Sequence, residues 1–173
     1  TGIFVEKMAD FFRYNVKKGQ EDATLGEELE AVDNYIYILN VRFAGDIHFN
    51  KDVDESLENV RVPSMILQPV VENAVNHGIR DIEWEGKIHL TVTGDADYIR
   101  ISVKDNGKGM TPEQIESVLS GNKEHCNEQS DSTGIGMNNV ISRLELYYEE
   151  PGLVEINSDG ENKGTEVVIY IPV

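Results

Sequence analysis

The sequence predicts an α+β sandwich, with one mixed sheet covered by helices on one face and preceded by two helices. Helical apolar stripes fill the first 44 residues, whereas period-two alternation appears only further along the chain, and this segregation carries the prediction. Residues 3 to 18 set Phe4, Met8, Phe11, Phe12 and Asn15 on one helical face and stop at Gly19. A second helix, 24 to 44, opens at Thr24, where Thr24 and Glu27 have capping-box spacing. Leu25, Leu29, Val32, Ile36, Leu39 and Phe43 follow at steps of three and four, a narrow stripe that suits its own domain and an oligomer seam equally.

The rest of the chain reads as mixed α/β. An extended piece at 46 to 52 precedes a helix at 63 to 79. Residues 87 to 93 and 98 to 104 alternate at period two around the turn Gly94-Asp95-Ala96-Asp97, which predicts a hairpin. A short helix follows Pro112, then a polar run, SGNKEHCNEQSDSTG, of loop character. Met137, Val140, Ile141, Leu144 and Tyr148 mark another amphipathic helix. GLVEINS and GTEVVIYIPV, with a glycine-containing turn between them, close the chain as a second hairpin.

Composition limits the partners. A net charge of −17 over 173 residues argues against nucleic acid, whose phosphate backbone is held by Lys/Arg clusters. A small phosphorylated ligand stays open, because Mg²⁺ and helix N-termini hold phosphates with few basic side chains. Cys126 stands alone, which excludes an intrachain disulfide and fits a reducing, cytoplasmic setting. No apolar run approaches the ~20 residues of a membrane span. Thr1 begins in helix without an initiator Met, so a piece of a longer protein is expected.

Several polar residues stand where apolar ones belong. Ile99, Ile101, Val103 and Asp105 share one strand face, so the Asp105 carboxylate points inward and needs donors. Gly107 and Gly109 follow in Asn106-Gly107-Lys108-Gly109, a turn that lets backbone approach a ligand. Taken alone, DNGKG fits a strand-capping turn better than a site, and it lacks the ligand spacing of an EF-hand. Thr165 shares an inward face with Val167, Ile169 and Ile171, or is simply a β-favouring residue. Two inward polar groups at strand ends would meet across a sheet and read one flat polar ligand. Gly134 and Gly136 open a helix whose free N–H groups suit an anion, although a flexible loop has the same composition. In LQPVVENAVNHGI, Asn73 lies on an apolar stripe with Ile66, Pro69, Val70 and His77, and its amide oxygen suits Mg²⁺. Asn76 and His77 stand a turn later in reach of phosphates, while His77-Gly78 serves equally as a C-cap.

Taken together, VPSMILQPVVENAVNHGI, VKDNGKGM, STGIGMNNVISRL and KGTEVVIYIP resemble in order the N, G1, G2 and terminal glycine–threonine boxes of the GHKL (Bergerat-type) nucleotide-binding fold. Histidine kinases, gyrase-type ATPases and Hsp90-like chaperones share that fold. VPSMILQP, the ENA-x-x-HG ending and TLGEELEAVDNYIYILNVRF are similar to the autolysin-regulator (LytS-like) class of sensor histidine kinases, over nearly the whole chain.

The resemblance implies ATP and Mg²⁺ as ligands. Asp105 would accept from the adenine amino group with Thr165 beside it. Gly107, Gly109 and Met110 would form the adenine side. Asn73 would hold the metal, with Asn76 and His77 near the phosphates. Gly134, Ile135, Gly136 and Met137 would close over them, and residues 119 to 133 would be the lid. Residues 1 to 44 would be a helical stem remnant with its linker helix, and 45 to 173 the ATP-binding catalytic domain. The partners implied are a response-regulator receiver domain and a second copy in a homodimeric parent. No nucleic acid and no direct membrane contact are expected, and by analogy alone the resemblance implies a membrane-anchored parent.

Three departures refine that expectation. The class carries its phosphoacceptor in an HFxFN-like motif, and His48, His77, His89 and His125 all stand in other contexts. The chain is therefore expected to bind ATP without labelling its own stem, and to hold no catalytic residue itself. Pro69 occupies the position of the water-activating Glu of gyrase-like members, and Glu72 points about 100° away from Asn73. Asn76 stands where many relatives carry Lys. The alternatives are a GHKL ATPase, or a catalytically silent nucleotide-binding interaction module.

Overall fold

The computed structural model describes residues 2–17, 22–42, 47–80, 82–120 and 133–173, without the side chains of 15–17 and 133–135. Helix α1 (Gly2–Lys17) lies along α2 (Leu25–Arg42), with the Phe11 ring stacked on Tyr35 at 6.1 Å between centroids. Phe12, assigned by spacing to the packed face, is instead 56% exposed. The capping box at the start of α2 forms as its spacing requires: Glu27 N–H donates to Thr24 Oγ1 at 3.1 Å, and Thr24 N–H to Glu27 Oε1 at 3.4 Å. Leu25, Leu29, Val32 and Ile36 are buried in the chain's own core, which decides between the two readings of that stripe. Phe43 lies outside the described residues.

Five strands form the main sheet in the order β2 (Ile47–Val53), β4 (Gly86–Gly94), β5 (Tyr98–Asp105), β7 (Thr165–Pro172) and β6 (Val154–Asn157). β2 runs parallel to β4 and every other pairing is antiparallel, so the sheet is mixed. Both predicted hairpins are present. Register stacks Leu90, Val103 and Val167 in one cross-strand row, and Val92, Ile101 and Ile169 in the next, all buried. Helices α3 (Leu67–Asn73), α4 (Pro112–Ser120) and α5 (Thr133–Tyr148) cover this one apolar face. In α5, Met137, Val140 and Leu144 enter the same core.

Two short strands, β1 (Asp22–Thr24) and β3 (Arg61–Pro63), pair antiparallel and were not expected. Their pairing moves the start of the third helix from 63 to Leu67. Pro69 falls in the first turn, where its missing N–H has no intrahelical partner to lose. The regular helix ends at Asn73, and Ala74–Ile79 continue as a π turn, closed by Arg80 N–H donating to Val75 C=O at 2.9 Å. Among the described residues no helix is long and apolar enough to cross a membrane.

Candidate functional site

The next row of the sheet breaks its apolar pattern. Ile88, Asp105 and Thr165 stand opposite one another, so the two inward polar residues of the sequence meet at adjacent strand ends. Asp105 is 6% exposed and Thr165 is 7%. Burial pushes the Asp105 carboxyl up to about 6, against a pull downward from the amides of Gly107 and Thr165. Gly107 N–H supplies one of these bonds, to Asp105 Oδ1 at 2.9 Å.

The π turn seats directly on this carboxylate. A Cβ at Gly78 would lie 2.7 Å from Asp105 Oδ1, closer than side-chain contacts allow. Gly107 is equally constrained, since a Cβ there would stand 1.9 Å from the Gly78 carbonyl oxygen. That carbonyl accepts from Lys108 N–H at 2.9 Å, so the DNGKG loop is strapped to the π turn. Gly109 has φ +73° and lies against the Gly160 carbonyl, while Met110 N–H donates to Ser158 Oγ at 3.0 Å. The loop is also held from the other side. Asn106 accepts from Lys87 N–H at 2.7 Å, donates to Glu85 C=O at 2.8 Å, and receives Trp84 Nε1–H on its own carbonyl at 2.7 Å.

Asn73, the last residue before the π turn, presents a different feature. Its Oδ1 is buried and has no hydrogen-bond partner among the described residues. An orphaned amide oxygen is costly to bury and is the kind of hard donor a Mg²⁺ ion takes. The residues present therefore fit the metal that the sequence implies. Among the described residues no three His, Cys, Asp or Glu side chains converge to hold an ion, so its remaining ligands would be ligand oxygens and water. His77 is half-buried, and its pKa is lowered by desolvation and by the Lys108 charge, which favours a neutral ring. Asn76 is exposed. The wider π turn changes the spacing after Asn73, so a regular-helix projection does not describe where Asn76 and His77 lie relative to it.

Gly134, Ile135 and Gly136 stand in the first turn of α5, with nothing within 4 Å of a Cβ at Gly136. The Met137 side chain is wholly buried in the core, leaving its backbone for any ligand. Residues 121–132, most of the expected lid, lie outside the described residues, as do His125 and Cys126. Sequence reasoning missed Gly78 and Asn106 as site-builders. Gly78 looked like a helix cap because its requirement comes from Asp105, 27 positions away in the chain.

A carboxylate buried at the end of an open mixed sheet, glycine-built loops around it and an orphaned Asn on the covering helix mark a candidate small-ligand site. The sequence profile described as "Histidine kinase-, DNA gyrase B-, and HSP90-like ATPase" matches residues 61–173, and the profile described as "Histidine kinase" matches residues 1–47. The chain belongs to this ATPase family. It is 33% identical to "Sensor histidine kinase YpdA" of Escherichia coli (strain K12), over 95% of this chain and 27% of that protein. "Sensor protein LytS" of Streptococcus agalactiae (strain NEM316, serotype III) is 29% identical over 96% of this chain and 28% of its own length. The chain thus spans less than a third of these relatives, and its kinship is with the sensor histidine kinases, the LytS-like proteins included. Among solved structures, a mycobacterial sensor histidine kinase, MprB, shares the fold at TM-score 0.61 and 18% identity, covering 89% of this chain and 97% of that one.

Proposed function

We propose that this chain is the ATP-binding catalytic part of a two-component sensor histidine kinase and that it receives Mg²⁺–ATP between α3, the DNGKG loop and the start of α5. The observation that carries the reading is the Asp105 carboxylate, a hydrogen-bond acceptor buried at a strand end directly opposite Thr165. An adenine amino group would donate to it, and Thr165 would read the same ring edge. Asn73 Oδ1 would hold the metal, which would neutralise phosphate charge that this acidic chain otherwise repels. Asn76 and His77 would stand near the phosphates. Gly107, Gly109 and Met110 would line the base, and the amides of Gly134, Ile135, Gly136 and Met137 would close over the phosphate chain.

In the intact parent, the γ-phosphoryl group would pass to a stem histidine: the Pγ–O bond to ADP breaks, an N–P bond forms, and ADP leaves. The group would then move to a receiver-domain aspartate. Residues 1–44 would end the dimerisation stem, residues 45–173 would hold the nucleotide, and the parent would act as a homodimer. Chemistry of this kind rests on positioning and charge stabilisation. Pro69, lacking a proton-accepting group, favours transfer over hydrolysis.

Calorimetry with Mg²⁺–ADP and a non-hydrolysable ATP analogue tests the reading. The native chain is expected to bind both, and Asp105→Asn to bind neither. Asn73→Ala should erase the difference in affinity between Mg²⁺-containing and EDTA-containing buffer, while retaining weak binding of ADP alone. A native chain that takes up no nucleotide overturns the proposal.

A further inference from the structure

Helix α3 begins without a cap of its own: Ile66 stands at its N-cap and offers no side-chain hydrogen bond. The missing acceptor comes from α2. Glu28, 1% exposed, accepts from the N–H groups of Ile66 at 2.7 Å and Leu67 at 3.3 Å, both on Oε1. Its other oxygen, Oε2, accepts from the Tyr14 hydroxyl of α1. Arg143 of α5 donates to the Ser64 carbonyl just upstream and attracts the same carboxylate. Between them Met65 is held at φ +60°, an uncommon conformation for a side chain of its size. One buried carboxylate therefore ties α1 and α2 to the first turn of the helix that carries Asn73.

From this junction we infer that Glu28 is a positioning residue, coupling the seating of α1 to the placement of α3 and so to the nucleotide site. The inference rests on the Mg²⁺–ATP reading above. Its physical basis is that a buried carboxylate needs its donors, and here the backbone donors come from Met65, Ile66 and Leu67 at the start of α3 and the hydroxyl donor from α1. A shift of α1 pulls on Oε2 through the Tyr14 hydroxyl and moves Oε1 with the amides it holds. Without that hydroxyl Oε1 still caps α3, and only the link to α1 is lost. From Leu67 to Asn73, seven residues, the helix rises about 9 Å as stiff backbone, so a tilt at its start shifts Asn73 at its end. The two oxygens serve different helices, which makes the two links separable by mutation. A cap that only stabilised α3 would need no contact with α1, none of whose described side chains is buried.

The test uses the whole chain, with Mg²⁺ and a non-hydrolysable ATP analogue as probe. Glu28→Ala is expected to weaken binding about 5-fold or more, within the usual range of coupling between sites. Glu28→Gln is expected to restore it, because its amide oxygen still accepts from both N–H groups. Hydrogen exchange supplies a second readout: the analogue should slow exchange of α1 amides around Tyr14 in the native chain, and Tyr14→Phe should abolish that response while leaving α3 capped. Circular dichroism identifies any variant that fails to fold, and Tyr14→Phe decides the matter if Glu28→Ala does. Native binding that Glu28→Ala leaves unchanged, or α1 exchange indifferent to the analogue, overturns the coupling alone. Failure of the native chain to bind overturns the nucleotide reading and the coupling with it.

Discussion

Under the proposed reading, Asp105 would set stability against function in one side chain. Its carboxyl is pushed from 3.8 up to about 6 by burial, so the fold binds that proton more tightly than the unfolded chain does. Ionisation therefore works against the fold. The cost is absent below about pH 4, where both states are protonated, grows between about 4 and 6, and is complete above that, reaching at most about 3 kcal/mol. Asp105→Asn keeps an acceptor for Gly107 N–H and removes the charge. It is expected to raise stability by about 1–3 kcal/mol near pH 7.5 and to lose that advantage near pH 4, as read by urea unfolding at the two pH values. The same titration acts on binding: an amino donor prefers the ionised carboxylate, so affinity for Mg²⁺–ADP should fall as pH drops below about 6. A flat binding profile across that range would separate Asp105 from the ligand.

At the scale of elements, the interlock of the π turn with the DNGKG loop shapes the site. Gly78→Ala would place a methyl 2.7 Å from the Asp105 carboxylate oxygen, so either the helix or the loop must shift. The expected cost is roughly 1–3 kcal/mol, the usual range for overpacking, together with a displaced acceptor. Thermal unfolding and nucleotide affinity should both fall, whereas a loss in stability alone would mean that Asp105 had kept its position. Strands β4, β5 and β7 were legible because strict alternation on a half-buried surface leaves few other conformations. Strands β1 and β3 were not, because three residues carry no period and their pairing joins positions 22–24 to 61–63. The π turn was illegible too: nothing local marks it, and it coincides with the seating of Gly78 on Asp105.

For the molecule as a whole, the net charge of −17 is the dominant long-range fact. Like charges repel most in the compact state, and salt screens that repulsion. The urea midpoint of the native chain is expected to be higher in about 0.5 M than in about 0.05 M sodium chloride, and an unchanged midpoint would show the charge to be locally paired. The same excess is why the sequence argues against nucleic acid while leaving a metal-bound nucleotide open. On the proposed Mg²⁺–ATP reading, phosphate recognition would therefore fall to backbone amides and a cation, with Lys108 the positive charge that acts on His77 at the π turn.

Sequence alone determined the segregation of helices from strands, the inward faces of the hairpins and the placement of Asp105, Thr165 and Asn73 where apolar residues belong. Those properties follow from periodicity, which is local chemistry repeated along the chain. Tertiary structure alone decided that Asp105 and Thr165 stand directly opposite, that α2 buries its stripe in its own core, and that Gly78 must lack a side chain. It alone shows Glu28 reaching across 38 positions to cap α3. Each of these depends on groups distant in the chain competing for one volume or one hydrogen bond, and no window of sequence contains both partners.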